Sequence, residues 1–239
     1  MSTTNTGLAR RSFLSRLSRM STGLAALGAA FGAGGSIARA QGSVTQAGAW
    51  KPARHAEDDW LDMVPGSHRL LFDAITAQGF GQTILFANNV FTANRTGYRL
   101  QQGDQALVIC VRHRATGFAF ADAMWAKYGG PLAERAELND PKTKQAPTVN
   151  MYMASGYGAQ LSNNGVTLDS LLKLGAHLAV CQVATRANAN IIAQRTGGKV
   201  DDIYQELVSN LVPNSHLVPA GIVAVNHAQE RGYSFSYGG

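Results

Sequence analysis

Residues 176–190 read Ala176-His-Leu-Ala-Val-Cys181-Gln-Val-Ala-Thr-Arg186-Ala-Asn-Ala-Asn190. The apolar run at 178–180 follows Gly175 and is typical of a short buried strand. Residues 183–194 contain neither proline nor glycine and predict a helix that begins directly after the strand. A strand that passes straight into a helix indicates an α/β unit. In such a unit, Cys181 lies at the carboxyl end of a parallel strand, where ligands and reactive groups of open α/β sheets are found.

This position makes Cys181 the candidate catalytic residue of the chain. The positive end of the following helix and the nearby Arg186 both favour a thiolate, which is the nucleophilic form of cysteine. The alternative is that Cys181 packs as a small apolar residue, as free cysteines often do. The position of the cysteine leaves both interpretations open.

The rest of the chain repeats the same alternation of strands and helices. Two successive helices between the third and fourth strands are the one departure from it. The pattern predicts a three-layer α/β/α, flavodoxin-like fold with a mostly parallel sheet of about five strands and the last strand at an edge. Strands are predicted at 68–74, 106–111, 178–180, 216–218 and 233–237, and helices at 79–98, 117–127, 168–174, 183–194, 200–211 and 221–230.

Two groups of residues resemble the DsrE/DsrF-like family. One is the turn that contains Cys181, Thr185 and Arg186; the other is the C-terminal pair of stretches Val218-Pro-Ala-Gly-Ile-Val223 and Ala228-Gln-Glu-Arg-Gly-Tyr233. The similarity covers about residues 66–237, and the order and spacing of the motifs carry it. It implies a flavodoxin-like fold, a homo-oligomer and, as in several members, transfer of sulfur as a cysteine persulfide to or from a partner protein. Other members have no settled activity.

The first 40 residues have the three parts of a twin-arginine signal peptide in order. Arg10-Arg11-Ser12-Phe13-Leu14 matches the twin-arginine pattern, a weakly apolar run covers 21–37, and Ala38-Arg39-Ala40 is a cleavage site before Gln41. The sequence thus predicts export to the periplasm through the twin-arginine translocase. The apolar run is short and rich in small residues, so no stable membrane span is expected after cleavage.

The signal peptide also accounts for most of the positive charge. The 239-residue chain has a formal net charge of +6, but residues 1–40 hold five of its 21 basic residues and no acidic residue. The remainder has 16 basic and 15 acidic residues. A nucleic-acid partner is therefore not expected, because such partners require a basic surface.

The remaining domain boundaries follow from composition. Residues 41–65 form a polar N-terminal arm, and residues 66–239 form the α/β domain. The segment 131–165 loses all periodicity, which predicts a long loop or lid inserted in that domain. It looks expanded relative to small members of the family.

Three further residues are candidate binding residues. Arg112 and His113 follow the second strand, so their side chains should lie at the same sheet edge as Cys181 and could contact an anion or hold a proton. Asn88 interrupts the apolar stripe of the first helix and could reach a ligand. A surface role for Asn88 and a local hydrogen-bonding role for His113 are the alternatives.

Other chemistry finds little support in the sequence. No Walker loop, G-x-G-x-x-G, paired C-x-x-C or H-E-x-x-H motif is present, so neither a cofactor nor a metal is predicted. Cys110 lies in a run that is apolar on both faces and is expected to be buried without a disulfide to Cys181. Two functions follow: an exported sulfur carrier that uses Cys181, or a non-catalytic ligand-binding or assembly module in which Cys181 only packs.

Overall fold

The computed structural model describes residues 51–239. The predicted signal peptide 1–40 and the first part of the predicted arm lie outside the described residues. Among the described residues, no helix combines the length and the apolar character that a bilayer-spanning segment needs.

The centre of the structure is a five-stranded sheet in which every neighbouring pair of strands is parallel. The strand order is β4-β3-β2-β1-β5, so β5 lies at an edge, as predicted. The predicted α/β fold of three layers with about five strands is confirmed. The strands are β1 His68–Ala74, β2 Gln105–Val111, β3 His177–Cys181, β4 Ser215–Val218 and β5 Ser234–Tyr237.

Helices cover both faces of the sheet. From β1 to β4 the chain moves steadily in one direction across the sheet, then returns through a single helix to place β5 beside β1. Because parallel crossovers are right-handed, the returning helix lies on the opposite face from the others. The α-helices are α1 Trp60–Met63, α2 Ala77–Tyr98, α3 Asp122–Ala136, α4 Leu168–Lys173, α5 Gln182–Thr196, α6 Val200–Ser209 and α7 Gly221–Glu230.

The central strand β2 is buried along its whole length. Leu107 and Ile109 belong to the larger hydrophobic cluster, which includes residues of α2, α3 and α5. Ala106 and Val108 belong to the smaller cluster, which includes residues of α1 and α7. This two-sided burial explains why β2 is continuously apolar from Ala106 to Val111 rather than alternating.

The predicted helix at 117–127 is wrong in both its start and its end. A 3-10 turn covers His113–Ala119, and α3 runs from Asp122 through Gly129-Gly130-Pro131 to Ala136. Tyr128 has non-helical angles (φ −124°, ψ 19°), so α3 kinks there. Pro131 then falls in the first turn of the second half, where the missing N–H group costs little.

Residues 131–136 of the predicted irregular segment belong to α3, but residues 137–165 have no long regular element, as predicted. This remaining part contributes to the core. Met151 and Tyr152 are fully buried. The hydroxyl of Tyr152 donates to the carbonyl of Ala77 at 2.8 Å, and its ring lies edge-on to Phe118. The segment therefore closes the large hydrophobic cluster where α2 begins.

Residues of the predicted arm complete the layer on the α7 side. Leu61 and Val64 are buried in the smaller cluster. The carbonyl of Leu61 accepts hydrogen bonds from the hydroxyl of Tyr233 at 2.7 Å and from the guanidinium of Arg69 at 3.0 Å. The imidazole of His227 lies 2.6 Å from the carboxylate of Asp58.

A histidine pair also contacts the arm. His216 stacks on Trp60 with 3.9 Å between ring centroids, and its Nε2 lies 2.9 Å from Nδ1 of His177. Burial, followed by the charge of His177, lowers the pKa of His216 to about 4 from 6.5. The folded protein thus holds His216 neutral at a pH where the unfolded chain protonates it.

We expect the free energy of unfolding to decrease as the pH falls from 6.5 towards 4, because only the unfolded state then takes up a proton at His216. The ring is only partly buried, so the loss is about 1–2 kcal/mol. His216→Phe keeps an aromatic ring on Trp60 and should flatten this pH dependence in urea unfolding measured from pH 7.5 to 4.5. His68→Gln, at an exposed histidine, is the control, and an equal slope in wild type and His216→Phe would contradict the prediction.

Candidate functional site

The carboxyl ends of the neighbouring strands β2, β3 and β4 meet around one open pocket. Because the strands are parallel, the segments that follow Val111 of β2, Cys181 of β3 and Val218 of β4 lie at the same edge. The pocket has a volume of about 240 Å³. Its lining residues are Arg112, His113, Arg135, Cys181, Val183, Ala184, Ala187, Ala220, Gly221 and Ile222.

Cys181 borders this pocket as the N-cap residue of α5. The backbone N–H group of Ala184 donates to its Sγ at 3.4 Å. The sulfur replaces the serine or aspartate oxygen that caps many helices, and it lies at the positive end of a 15-residue helix. Cys181 is 6% exposed, so the pocket is its route to solvent.

Thr185 stabilises the turn that Cys181 caps. Its hydroxyl donates to the carbonyl of Cys181 at 2.9 Å, and the side chain is fully buried. This residue therefore fixes the backbone at the point where β3 becomes α5. It has no access to the pocket.

Arg112 lines the pocket but is already paired. Its Nε and one terminal nitrogen each donate to the carboxylate of Asp73 at 2.8 Å. Asp73 is buried, and its hydrogen bond raises the pKa of Arg112. Arg112 therefore lines the pocket with its charge neutralised by the buried carboxylate of Asp73.

His113 lies beside Arg112 at the pocket and is exposed. Its backbone is in the left-handed region (φ 55°). The N–H groups of Arg114 and Ala115 both donate to the carbonyl of Ile75, which holds the turn in place. The structure thus brings together Cys181, Arg112 and His113, as their positions after adjacent strands predicted.

Cys110 is a packed core residue, as expected. It is fully buried, and its thiol donates to the carbonyl of Gly221 at 3.3 Å. Burial raises the pKa of this thiol, and the charge of Asp73 raises it further. Both cysteines are free. Cys110 pairs with Ala179 in the sheet, two residues before Cys181, which places the two Cα atoms about 8 Å apart and beyond disulfide reach.

Two predicted binding residues lie elsewhere. Arg186 forms an ion pair with Asp201, and its guanidinium lies 4.1 Å from the ring centre of Tyr204, so it faces α6 rather than the pocket. Asn88 is on α2, 11 residues after Ala77. At 1.5 Å per residue it is about 16 Å from the end of the helix that adjoins the carboxyl edge of the sheet.

One residue of the predicted loop 131–165 lines the pocket. Arg135, in the last turn of α3, lines the pocket; the irregular part of the segment does not. The sequence interpretation missed Arg135 because it ended the helix at Gly129-Gly130. The strong helix formers at 132–136, which follow Pro131, indicate that the helix continues to Arg135.

Arg135 differs from Arg112 in having no partner within the described part of the chain. Among the described residues, no hydrogen bond or ion pair reaches its guanidinium, and its Nε is buried. The adjacent carboxylates are engaged elsewhere, Glu134 with Arg195 and Glu137 with Arg114. The pocket thus combines a thiol with an uncompensated cation.

Comparisons with known proteins found no relative of this chain. No protein-family model matches the chain, and no curated protein or solved structure is significantly similar to it. Within residues 51–239, no group of three or more His, Cys, Asp or Glu side chains is placed to hold a metal ion.

Proposed function

We propose that this chain is an exported DsrE/DsrF-like protein that accepts sulfane sulfur on Cys181 and delivers it to a partner protein. The observation that carries the proposal is the position of Cys181. Its sulfur caps α5 and borders an open pocket together with Arg112 and His113. The motif resemblance over residues 66–237 supports the family, and the twin-arginine pattern supports a periplasmic location.

The reaction needs only the thiolate of Cys181 and a donor. The thiolate attacks the terminal sulfur of the donor, a new S–S bond forms, and the S–S bond of the donor breaks with its electron pair on the leaving group. The N–H group of Ala184 and the end of the α5 dipole stabilise negative charge on the sulfur. A thiol of the acceptor protein then attacks the outer sulfur and restores the Cys181 thiolate.

The test is sulfur loading of the mature protein, beginning at Gln41. After incubation with inorganic polysulfide, intact-mass and peptide mass spectrometry should find one added sulfur atom at Cys181. Cys181→Ser should abolish this addition, and Cys110→Ser, which removes the buried thiol, should retain it. A wild-type protein that gains no sulfur at Cys181 rules out the proposed function.

A second function is favoured by the surface around the pocket. Val183 is 64% exposed and Ile222 is 58% exposed, and both apolar side chains line the pocket. An apolar rim suits a ligand-binding or oligomeric assembly module in which the 6% exposed Cys181 acts only as a helix cap. In that case Cys181→Ser preserves both fold and assembly, and native Cys181 resists alkylation.

A further inference from the structure

Arg135 gives the pocket a net positive charge. Arg112 is neutralised by Asp73, and no described residue that lines the pocket carries a carboxylate. Arg135 lines both this pocket and a neighbouring polar groove, where Glu134 and Glu137 already pair with other arginines. A partly buried guanidinium that has no partner among residues 51–239 is suited to bind an anion.

The remaining walls limit what that anion can be. The pocket is lined mainly by small or aliphatic side chains, including Ala184, Ala187, Ala220 and Ile222. Its volume of about 240 Å³ equals that of about eight water molecules, at about 30 Å³ each. The ligand should therefore be small, should carry its charge at one end and should present a soft, weakly hydrated end to Cys181.

We infer that Arg135 binds the anionic end of the sulfur donor, and that the donor is a small anion whose sulfane sulfur is bonded to a sulfonate group, such as thiosulfate. This inference rests on the proposed function of Cys181. With the sulfonate on Arg135, the Cys181 thiolate attacks the outer sulfur of thiosulfate. The Cys–S bond to that sulfur forms as the S–S bond of thiosulfate breaks, and sulfite leaves with the electron pair. Cys181 is left as a persulfide anion.

The charge preference can be measured with two alkylating reagents of similar size. Iodoacetate is an anion and iodoacetamide is neutral, and both react with the same thiolate. The ratio of their rates at Cys181 therefore cancels any change in thiol ionisation. In Arg135→Gln this ratio should fall about tenfold relative to wild type, the effect of losing one charge-assisted hydrogen bond.

Two variants serve as controls. Arg95→Gln removes the same charge from an exposed position on α2 and should leave the ratio unchanged. Arg135→Lys keeps the charge and should retain most of the preference, and it provides a second variant if Arg135→Gln is poorly folded by circular dichroism. An equal iodoacetate-to-iodoacetamide ratio in wild type and Arg135→Gln overturns the inference.

Measurements of sulfur loading distinguish a failure of this inference from a failure of the proposed function. Wild type should gain sulfur at Cys181 from thiosulfate, and Arg135→Gln should do so about tenfold more slowly. Loading from polysulfide but not from thiosulfate overturns the donor class and leaves the function intact. A Cys181 that reacts with neither alkylating reagent and takes sulfur from no donor overturns both.

Discussion

Replacing Asp73 by asparagine should lower the free energy of unfolding by about 2–4 kcal/mol. Asp73 is 2% exposed and accepts both hydrogen bonds of the Arg112 fork. Asparagine has nearly the same shape but no charge, and its amide can accept only one of the two bonds. The change leaves a partly buried guanidinium without its counter-ion, which is the costly way to break a buried ion pair.

Urea unfolding followed by circular dichroism measures this effect. The double-mutant cycle with Arg112→Met should give a coupling energy of about 2–3 kcal/mol, within the range for groups in direct contact. The Arg114–Glu137 pair is the matched control, because both of its side chains are exposed. The cycle of Arg114→Gln with Glu137→Gln should give less than about 1 kcal/mol. Similar coupling for the two pairs would show that burial of Asp73 does not strengthen the Arg112 contact.

Asn150→Ala should destabilise the protein by about 2–4 kcal/mol. The amide nitrogen of Asn150 donates to the carbonyls of Phe118 at 2.8 Å and Phe120 at 2.9 Å, and the residue is fully buried. Alanine leaves both carbonyls in the core without a donor. The amide oxygen of Asn150, which accepts from the N–H group of Tyr152 at 3.2 Å, is lost as well.

The measurement is again the free energy of unfolding in urea. Asn139→Ala, at an exposed position in the same segment, is the matched control and should change stability by less than about 0.5 kcal/mol. If Asn150→Ala is as stable as this control, the irregular segment does not depend on its contacts with the 3-10 turn. A large difference confirms that the segment is a structural part of the domain.

The fold was predictable because its main determinants are local. The apolar run of β2 and the passage from residues 178–180 into a helix indicated a parallel sheet with covered faces. The end of α3 was not predictable by the same rules. Gly129 normally ends a helix, but here a Cβ atom would lie 2.0 Å from the carbonyl oxygen of Pro147, so close packing requires the glycine. That contact joins two segments that no local pattern relates.

The residues of the candidate site likewise differ in how far their positions were predictable from the sequence. Arg112, His113 and Cys181 follow adjacent parallel strands, and strand direction alone brings them to one edge. Arg186 is close to Cys181 in sequence, but its direction is decided by Asp201 on the next helix. Arg135 reaches the pocket from α3, and only the packing of α3 against α5 places it there. Sequence position therefore locates residues at strand ends better than residues on helices.

The contacts of residues 55–64 also bear on how fragments of this protein should be designed. The motif resemblance begins near residue 66, yet Leu61 and Val64 occupy the smaller hydrophobic cluster, and Arg231, whose side chain is fully buried, donates to the carbonyl of His55. A protein fragment that starts at residue 66 would lack these side chains and leave the α7 side of the sheet partly uncovered. Such a product is expected to aggregate, whereas one that starts at Gln41 retains the complete layer.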